Sequence, residues 1–508
     1  MSARSTVAAV DLGAESGRVA TVSFDGVSLA LDVVSRFSHA PVQQEGVWRW
    51  DLGTLWSGIG DGLAKLDAGE VPISSVGVDA WGVDYGLVDT SGGLVDTPTS
   101  YRDPRNLRAM RRAIEAVGTE RLYSATGVQI MSINTIFALV SDLQEHPSRL
   151  AAAERLLMIP DVFHHLLSGS NVTEYTAAST SGMLDMATGG WARDLVEQLG
   201  IPARILPEVV MPGTDVGALV GDFRGQLRHG RVIVPPAHDT ASAVVGVPLL
   251  VPGDMFISSG TWSLVGVETR QALISPASRR ANLTNEGGYE RTIRLLRNVM
   301  GLWILQACRQ QWRSEGTELS YAEIARLAGD EPGLASVVNP DADEFLAPGD
   351  MPARIQRYCA RAGVPVPQSV GAIARCVIDS LALSYRAVMH SIAEVTGMTP
   401  AAINVVGGGS SHALLSQLTA DATGVPVRCG PVEATALGNA AVQLVALGEL
   451  SGLSDIRRVV TASTDLQEYH PHPHHDWTSA AERLADLVRA DRARAGLDES
   501  GPSDGDPG

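Results

Sequence analysis

The chain has 508 residues, 45% of them hydrophobic, and a formal net charge of −18. At about 150 residues per domain, this length predicts roughly two to four domains. The acidity argues against nucleic acid or an anionic membrane as partner, because neutralising phosphates needs clustered Lys and Arg; an anionic small molecule is still admissible where backbone amides receive it.

No apolar run approaches the roughly 20 residues of a membrane span. The N-terminus enters a strand at once and shows no signal-peptide pattern, which predicts a cytoplasmic protein. Cys308, Cys359, Cys376 and Cys429 form no Cys-x-x-Cys pair and lie near no set of histidine ligands, so zinc is not expected. Cys359 and Cys376 could bridge, but the cytoplasm favours free thiols.

Val7 to Gly13 reads as a strand ending in Asp11-Leu12-Gly13-Ala14-Glu15-Ser16-Gly17-Arg18. A strand from Arg18 to Phe24, an Asp25-Gly26 turn and a strand from about Ser28 to Phe37 continue the meander. This is a hairpin with a Gly/Ser tip, neither a P-loop nor a Rossmann turn. The tip amides and Arg18 could hold a phosphate; a plain hairpin fits the same residues.

Leu52 to Leu66 has helical spacing and Val76 to Trp81 reads as a buried strand. In Gly77-Val-Asp79-Ala-Trp81-Gly82-Val-Asp84-Tyr85-Gly86, Gly82 would let a ligand approach the backbone. Trp81 and Tyr85 either wall a sugar or belong to the core. Tyr101-Arg102-Asp103-Pro104-Arg105 is a polar turn. Helices are expected over 107–117, 119–125, 134–145 (capped by Asn134-Thr135), 149–157 and 160–167. His164 and His165, being adjacent, face different ways and suit a metal poorly. Residues 171–190 read as a small, polar loop that could border a cleft.

The chemistry converges on Pro235 to Gly266. His238-Asp239-Thr240 follows the β-branched run Arg231 to Val234, so the acid should sit at a strand's end, and small residues after it let a helix start close by. Ile257-Ser-Ser-Gly260-Thr261-Trp262-Ser263 is a second small-residue turn between strands, with amides suited to an anion. One carboxylate and one anion-holding turn suggest group transfer. Val10 to Val22 and Ile257 to Val267 echo each other as strand, Gly/Ser turn, strand, which a duplicated fold would explain.

Asn285-Glu286-Gly287-Gly288-Tyr289-Glu290 reads as a hairpin turn. Asn298 should lie at a strand's end and Gln306 on the helix Leu302 to Trp312. A long helix covers Ala372 to Thr396. Ile403 to Val406 runs into Gly407-Gly408-Gly409 and a helix from Ala413 to Thr423, where amides and the helix dipole suit a phosphate or nucleotide. Val425 to Arg428 is a strand, and Glu433-Ala-Thr-Ala-Leu-Gly438-Asn439 opens a small-residue helix suited to close packing. Beyond Ser454 the chain turns polar, with a last helix from Asp476 to Ala495 and expected disorder over 496–508.

Taken together, Asp11 to Arg18, Val78 to Gly86, Tyr101 to Arg105, His238 to Ser242, Ser258 to Ser263, Asn285 to Gly288, Asn298 to Trp312, Gly407 to Gly409 and Gly430 to Asn439 resemble the FGGY carbohydrate kinases of the actin-like ATPase superfamily. The resemblance spans about Val7 to Leu450. It implies an α/β fold of two ribonuclease-H-like domains around a central cleft: 1–246 mainly sugar-binding, 247–455 mainly ATP-binding, and a C-terminal extension over 456–508. It implies ATP-dependent phosphorylation of a ketose, L-rhamnulose, at its C1 hydroxyl. By matching position, Asp239 would be the catalytic base, with Gly82, His238, Thr240 and Asn298 also contacting the ketose. Ala14, Glu15, Ser16, Gly17, Arg18 and Thr261 would hold phosphates, Gln306 and Gly408 would contact the nucleotide, and Asp11 would orient Mg2+ through water. Glu15 stands where many sugar kinases carry a small hydroxyl residue, and a carboxylate would repel triphosphate, so it should point away or face the metal. A monomer or homodimer is expected. The rival readings are a kinase for another ketose, such as L-fuculose or xylulose, an actin-like nucleotide switch, and a silent sugar sensor.

Overall fold

The computed structural model describes residues 5–221, 223–248, 251–472 and 476–495. The segment 496–508, expected to be disordered, lies outside them. β1 (Ser5–Leu12) is buried along nearly its whole length, as an apolar strand covered on both faces should be. It pairs antiparallel with β2 (Ser16–Phe24) across the tip Gly13-Ala14-Glu15, and β2 pairs antiparallel with β3 (Leu29–Ser38). Asp51 caps α1 (Leu52–Asp67) by accepting from the Thr54 amide, and α1 leads to β4 (Ser75–Ala80), parallel to β1. β5 (Asp215–Ala218) and β6 (Arg231–Ile233) complete a sheet of order β5-β6-β4-β1-β2-β3.

A second sheet has the order β9-β10-β8-β7-β11-β12-β13. Its strands are β7 (Met255–Ser259), β8 (Trp262–Thr269), β9 (Thr284–Gly287), β10 (Ile293–Met300), β11 (Ile403–Val406), β12 (Val427–Cys429) and β13 (Gln467–Tyr469). β7 pairs antiparallel with β8 and parallel with β11, as β1 does with β2 and β4, and β12 follows β11 as β6 follows β4. The duplicated pattern suggested by the two hairpins is present.

α2 (Asp239–Val245) follows β6, α3 (Trp303–Ser314) follows β10, and α4 (Ala434–Ala446) follows β12. α2 and α4 pack so closely that a Cβ on Gly438 would fall 1.8 Å from the Ser242 carbonyl oxygen, and one on Gly246 2.3 Å from that of Ala434. Small residues at this seam were expected, and the contact requires them. α4 also grips the first sheet: Gln443 donates to the Ala8 carbonyl (3.0 Å) and accepts from Ser75 (2.7 Å), and Asn439 donates to Asp79 (2.6 Å).

The described residues of 1–298, 388–411 and 427–468 form one unit, which holds both sheets. Those of 299–387, 412–426 and 469–495 form a second, largely helical one, in which Asp491 accepts from Tyr358 and Asn339. All four cysteines are free and buried, and Cys359 and Cys376 meet as hydrogen-bonded thiols.

Several local expectations give way to tertiary contacts. Residues 149–157 are not one helix: Pro147–Ala152 is helical, but Arg155–Met158 is a strand because it finds Tyr85–Val88 as an antiparallel partner. Asn134 precedes its helix without capping it, its side chain accepting instead from the Met131 amide. The expected hairpin is present but its turn falls later than its first residues: Thr284–Gly287 is strand, and the turn over 288–292 joins it antiparallel to β10. A helix Leu453–Ala462 occupies the stretch expected to be merely polar. Residues 173–184 are not a surface loop but almost wholly buried. Their small hydroxyls make this possible, Ser179, Thr180 and Ser181 each donating to a carbonyl three residues back.

Candidate active site

Strands β4 and β6 end together, where Ala80 and His238 form a parallel bridge and the Ala80 amide donates to the Ala237 carbonyl at 2.9 Å. This brings Gly82, His238, Asp239 and Thr240 to one strand edge. A Cβ on Gly82 would lie 3.1 Å from Thr180 Oγ1 and 3.2 Å from His238 Nε2, so a side chain there would close the gap. Asp239 opens α2 with its side chain 27% exposed and Oδ1 3.4 Å from His238 Nε2. Burial raises its carboxyl pKa, while His238, Thr240 and Arg294 pull the other way.

Behind His238 lies a wholly buried guanidinium. Arg294 donates to the Gly287 carbonyl (2.9 Å), and its Nη2 lies 3.2 Å from His238 Nδ1 and 3.3 Å from Glu286. The same His238 Nδ1 lies 3.4 Å from Glu286 Oε2, while Nε2 faces Gly82 and Asp239. Burial acts to raise the Glu286 carboxyl, but contacts with His238, Arg294 and Asn298 hold it below its ordinary value. Asn298 is clamped by buried Gln129, whose Oε1 accepts from the Asn298 amide (2.9 Å) and side chain (3.1 Å). Glu174 accepts from the Ala237 amide at 3.0 Å, and Thr176 Oγ1 accepts from the His238 amide at 3.1 Å. Burial pushes the Glu174 carboxyl up to about 7.

None of Gln129, Glu174, Thr176, Glu286 or Arg294 was singled out as a site residue from sequence. Only the acid between two glycine-flanked segments in Asn285-Glu286-Gly287 offered a signal. Trp81 and Tyr85 resolve as core: Trp81 stacks among His39 and Trp50, and Tyr85 donates to buried Asp142.

At the β1–β2 tip, Ala14 and Glu15 are half-buried, Ser16 is exposed, and Gly17 is buried where a Cβ would meet the Phe37 ring at 2.3 Å. Asp11 pairs in register with Arg18 on β2 and Asp79 on β4. Arg18 lies 3.5 Å from Asp11 and is ion-paired with Glu433, which also binds Arg36. Burial pushes the Asp11 carboxyl up to about 6, against Arg18 and with Asp239 adding to the rise. Glu15, raised by burial, is held down by Arg102, so its carboxylate answers to the Tyr101-Arg102 turn.

The second hairpin tip is tight, with the Gly260 amide donating to the Trp262 carbonyl at 2.8 Å; Thr261 is half-buried. Ser259 explains two of the three glycines: a Cβ on Gly407, at φ +82°, would lie 2.8 Å from its carbonyl oxygen, and one on Gly409 2.0 Å from its hydroxyl. Gly408 is exposed and faces open space. The helix expected over Ala413–Thr423 is present with those bounds, and the glycines lead into it through a 3-10 turn, Gly408–Ser411. Gln306 is half-buried on α3 in the second unit.

The acids suit a divalent cation. Besides burial, Asp239 raises the Asp11 carboxyl, and Asp11 and Asp239 raise that of Asp79, whose Oδ1 is buried with no hydrogen-bond partner. Among the described residues no group of three or more His, Cys, Asp or Glu closes on one point. Mg2+ commonly takes one or two carboxylates and completes its shell with waters and substrate phosphates.

Paired ribonuclease-H-like sheets with an acid at a strand edge define a phosphotransferase of the sugar-kinase type, and the chain belongs to the FGGY family of carbohydrate kinases. The family's N-terminal domain matches residues 6–246 and its C-terminal domain residues 255–447. Within that family its relatives include rhamnulokinases. That of Pectobacterium atrosepticum is 40% identical, over 97% of this chain and 99% of the relative. That of Bacteroides thetaiotaomicron is 38% identical, over 95% and 99%. Solved structures of similar fold include a xylulose kinase from Lactobacillus acidophilus, with TM-score 0.77, 18% identity and coverage of 98% of this chain and 99% of that one. Glycerol kinase from Plasmodium falciparum has TM-score 0.73, 14% identity and coverage of 96% and 97%. Membership of a kinase family implies ATP as phosphoryl donor. Among the described residues no helix is long and apolar enough to cross a membrane.

Proposed function

We propose that this chain phosphorylates L-rhamnulose at its C1 hydroxyl with ATP, giving L-rhamnulose 1-phosphate and ADP in L-rhamnose catabolism. The observation that carries the reading is the near full-length similarity to rhamnulokinases, joined to an intact acid whose Oδ1 lies 3.4 Å from His238 Nε2. Asp239 aligns the C1 hydroxyl and accepts its proton as the oxygen attacks the terminal phosphorus. His238 Nε2, Thr240 and Asn298 bond neighbouring hydroxyls, Gly82 leaves room for the sugar, and the Thr240 hydroxyl also lies 3.3 Å from Asp239 Oδ1. Ala14 to Arg18 and Thr261 receive phosphates, and Gln306 and Gly408 contact the nucleotide. Residues 1–246 in this reading hold mainly sugar and 247–455 mainly ATP. Asp11, through water, and Asp79 would hold Mg2+, which supplies charge neutralisation on the phosphates. We assign the reaction to the cytoplasm and to a monomer or homodimer.

A coupled ADP-release assay across L-rhamnulose, L-fuculose and xylulose tests this. Fastest turnover on L-rhamnulose is expected; none on it, with robust turnover on another ketose, would overturn the substrate assignment.

A further inference from the structure

His39, just beyond β3 and 7% exposed, has no part in the mechanism above, yet it touches the β1–β2 tip twice. Its backbone amide donates to the Glu15 carbonyl at 3.1 Å, and its Nε2 lies 2.8 Å from the Gly13 carbonyl oxygen. A carbonyl can only accept, so the ring proton is on Nε2. The ring stacks on Trp81 (centroids 5.4 Å apart) and meets Trp50 edge-on (5.6 Å). Trp81 itself donates its backbone amide to the Leu12 carbonyl at 3.0 Å.

These contacts decide which side of the tip carries amides. In a trans peptide the C=O of one residue and the N–H of the next point in opposite directions. Holding the Gly13 and Glu15 carbonyls inward therefore turns the amides of Ala14 and Ser16 the other way. An anion at the tip then meets N–H groups instead of carbonyl oxygens.

We propose that His39 is a positioning residue of the phosphate-binding tip: its Nε2–H and backbone amide hold two tip carbonyls away from the anion, and its stack on Trp81 ties the tip to the Gly82 loop. The inference rests on the reading that this tip receives ATP phosphates.

The test uses the full chain and MgADP, with binding measured by calorimetry and the ATP and L-rhamnulose KM values by steady-state kinetics. His39→Phe keeps a ring against Trp81 but has no proton for Gly13. It should melt like the wild type while binding MgADP about tenfold more weakly, the size expected for one lost hydrogen bond. The KM for ATP should rise by a similar factor and that for L-rhamnulose much less. His39→Gln, whose amide reaches where Nε2 does, should recover most of the affinity; His39→Asn, which reaches only to Nδ1, should not. Wild-type MgADP affinity in His39→Phe, or equal behaviour of Gln and Asn, would overturn the inference. A wild-type protein that binds no MgADP would sink the phosphate reading of the tip and the inference with it.

Discussion

Arg294 Nη2 lies 3.2 Å from His238 Nδ1 at a position with no solvent exposure, so a residue remote in sequence fixes how the His238 ring is turned toward Gly82 and Asp239. Arg294→Lys keeps the charge beside Glu286 but loses the planar fork that serves Gly287 and His238 together. Buried hydrogen bonds to charged groups contribute about 1.5–3 kcal/mol, so kcat/KM for the sugar should fall about 10–100-fold. MgADP affinity should hold. A variant with wild-type kcat/KM would show that His238 needs no such partner.

Asp239→Asn should lower turnover about 10²–10⁴-fold, as for loss of a general base. Because burial raises the Asp239 pKa in the free protein, the acid limb of the wild-type kcat/KM profile should lie above the ordinary carboxylate range. Turnover should rise with pH as the base ionises. The limb should vanish in the variant, and a rate within a few-fold of wild type would remove Asp239 from the chemistry.

Asp84 accepts the indole N–H groups of Trp50 (2.6 Å) and Trp81 (2.9 Å), and burial pushes its carboxyl up to about 7 against those bonds. A raised carboxyl keeps a proton in the fold that the unfolded chain has already released. Its stabilising effect is therefore full below the unfolded value and lost as pH rises through about 7. One such group adds a slope of up to about 1.4 kcal/mol per pH unit. Denaturant unfolding of the ligand-free protein should show stability falling from about pH 5 to pH 7.5. Asp84→Asn, which still accepts both indoles, should reduce that slope, to which the raised Glu174 and Asp11 also contribute; an unchanged slope would show that Asp84 is not among its sources.

Gly438→Ala puts a methyl group 1.8 Å from the Ser242 carbonyl oxygen, a backbone atom that cannot swing aside. Forcing α2 and α4 apart should cost about 1–3 kcal/mol or more and shift Asp239 at the head of α2. Urea unfolding should show the loss, and turnover should fall with it. By contrast Gly408→Ala, where a Cβ meets nothing within 4 Å, should leave stability nearly unchanged.

Both hairpins, the strand-to-acid-to-helix step at His238-Asp239 and the run of three glycines were legible in the residues themselves. Each is set by neighbours a few positions apart: alternation along a strand, turn residues, a helix start. The duplication was legible for the same reason, since each half repeats one local pattern. The buried segment 173–184 was misread because small polar residues look alike in a loop and in an interior where every hydroxyl finds a carbonyl. Which side chain meets which across long stretches of chain was decided only by the tertiary structure. Gln129 reaches Asn298 across 169 positions and Arg294 reaches His238 across 56. A buried polar group must be paired, but composition and periodicity do not say by whom; the packing of sheets and helices chooses the partner, and so turns the His238 ring toward Asp239.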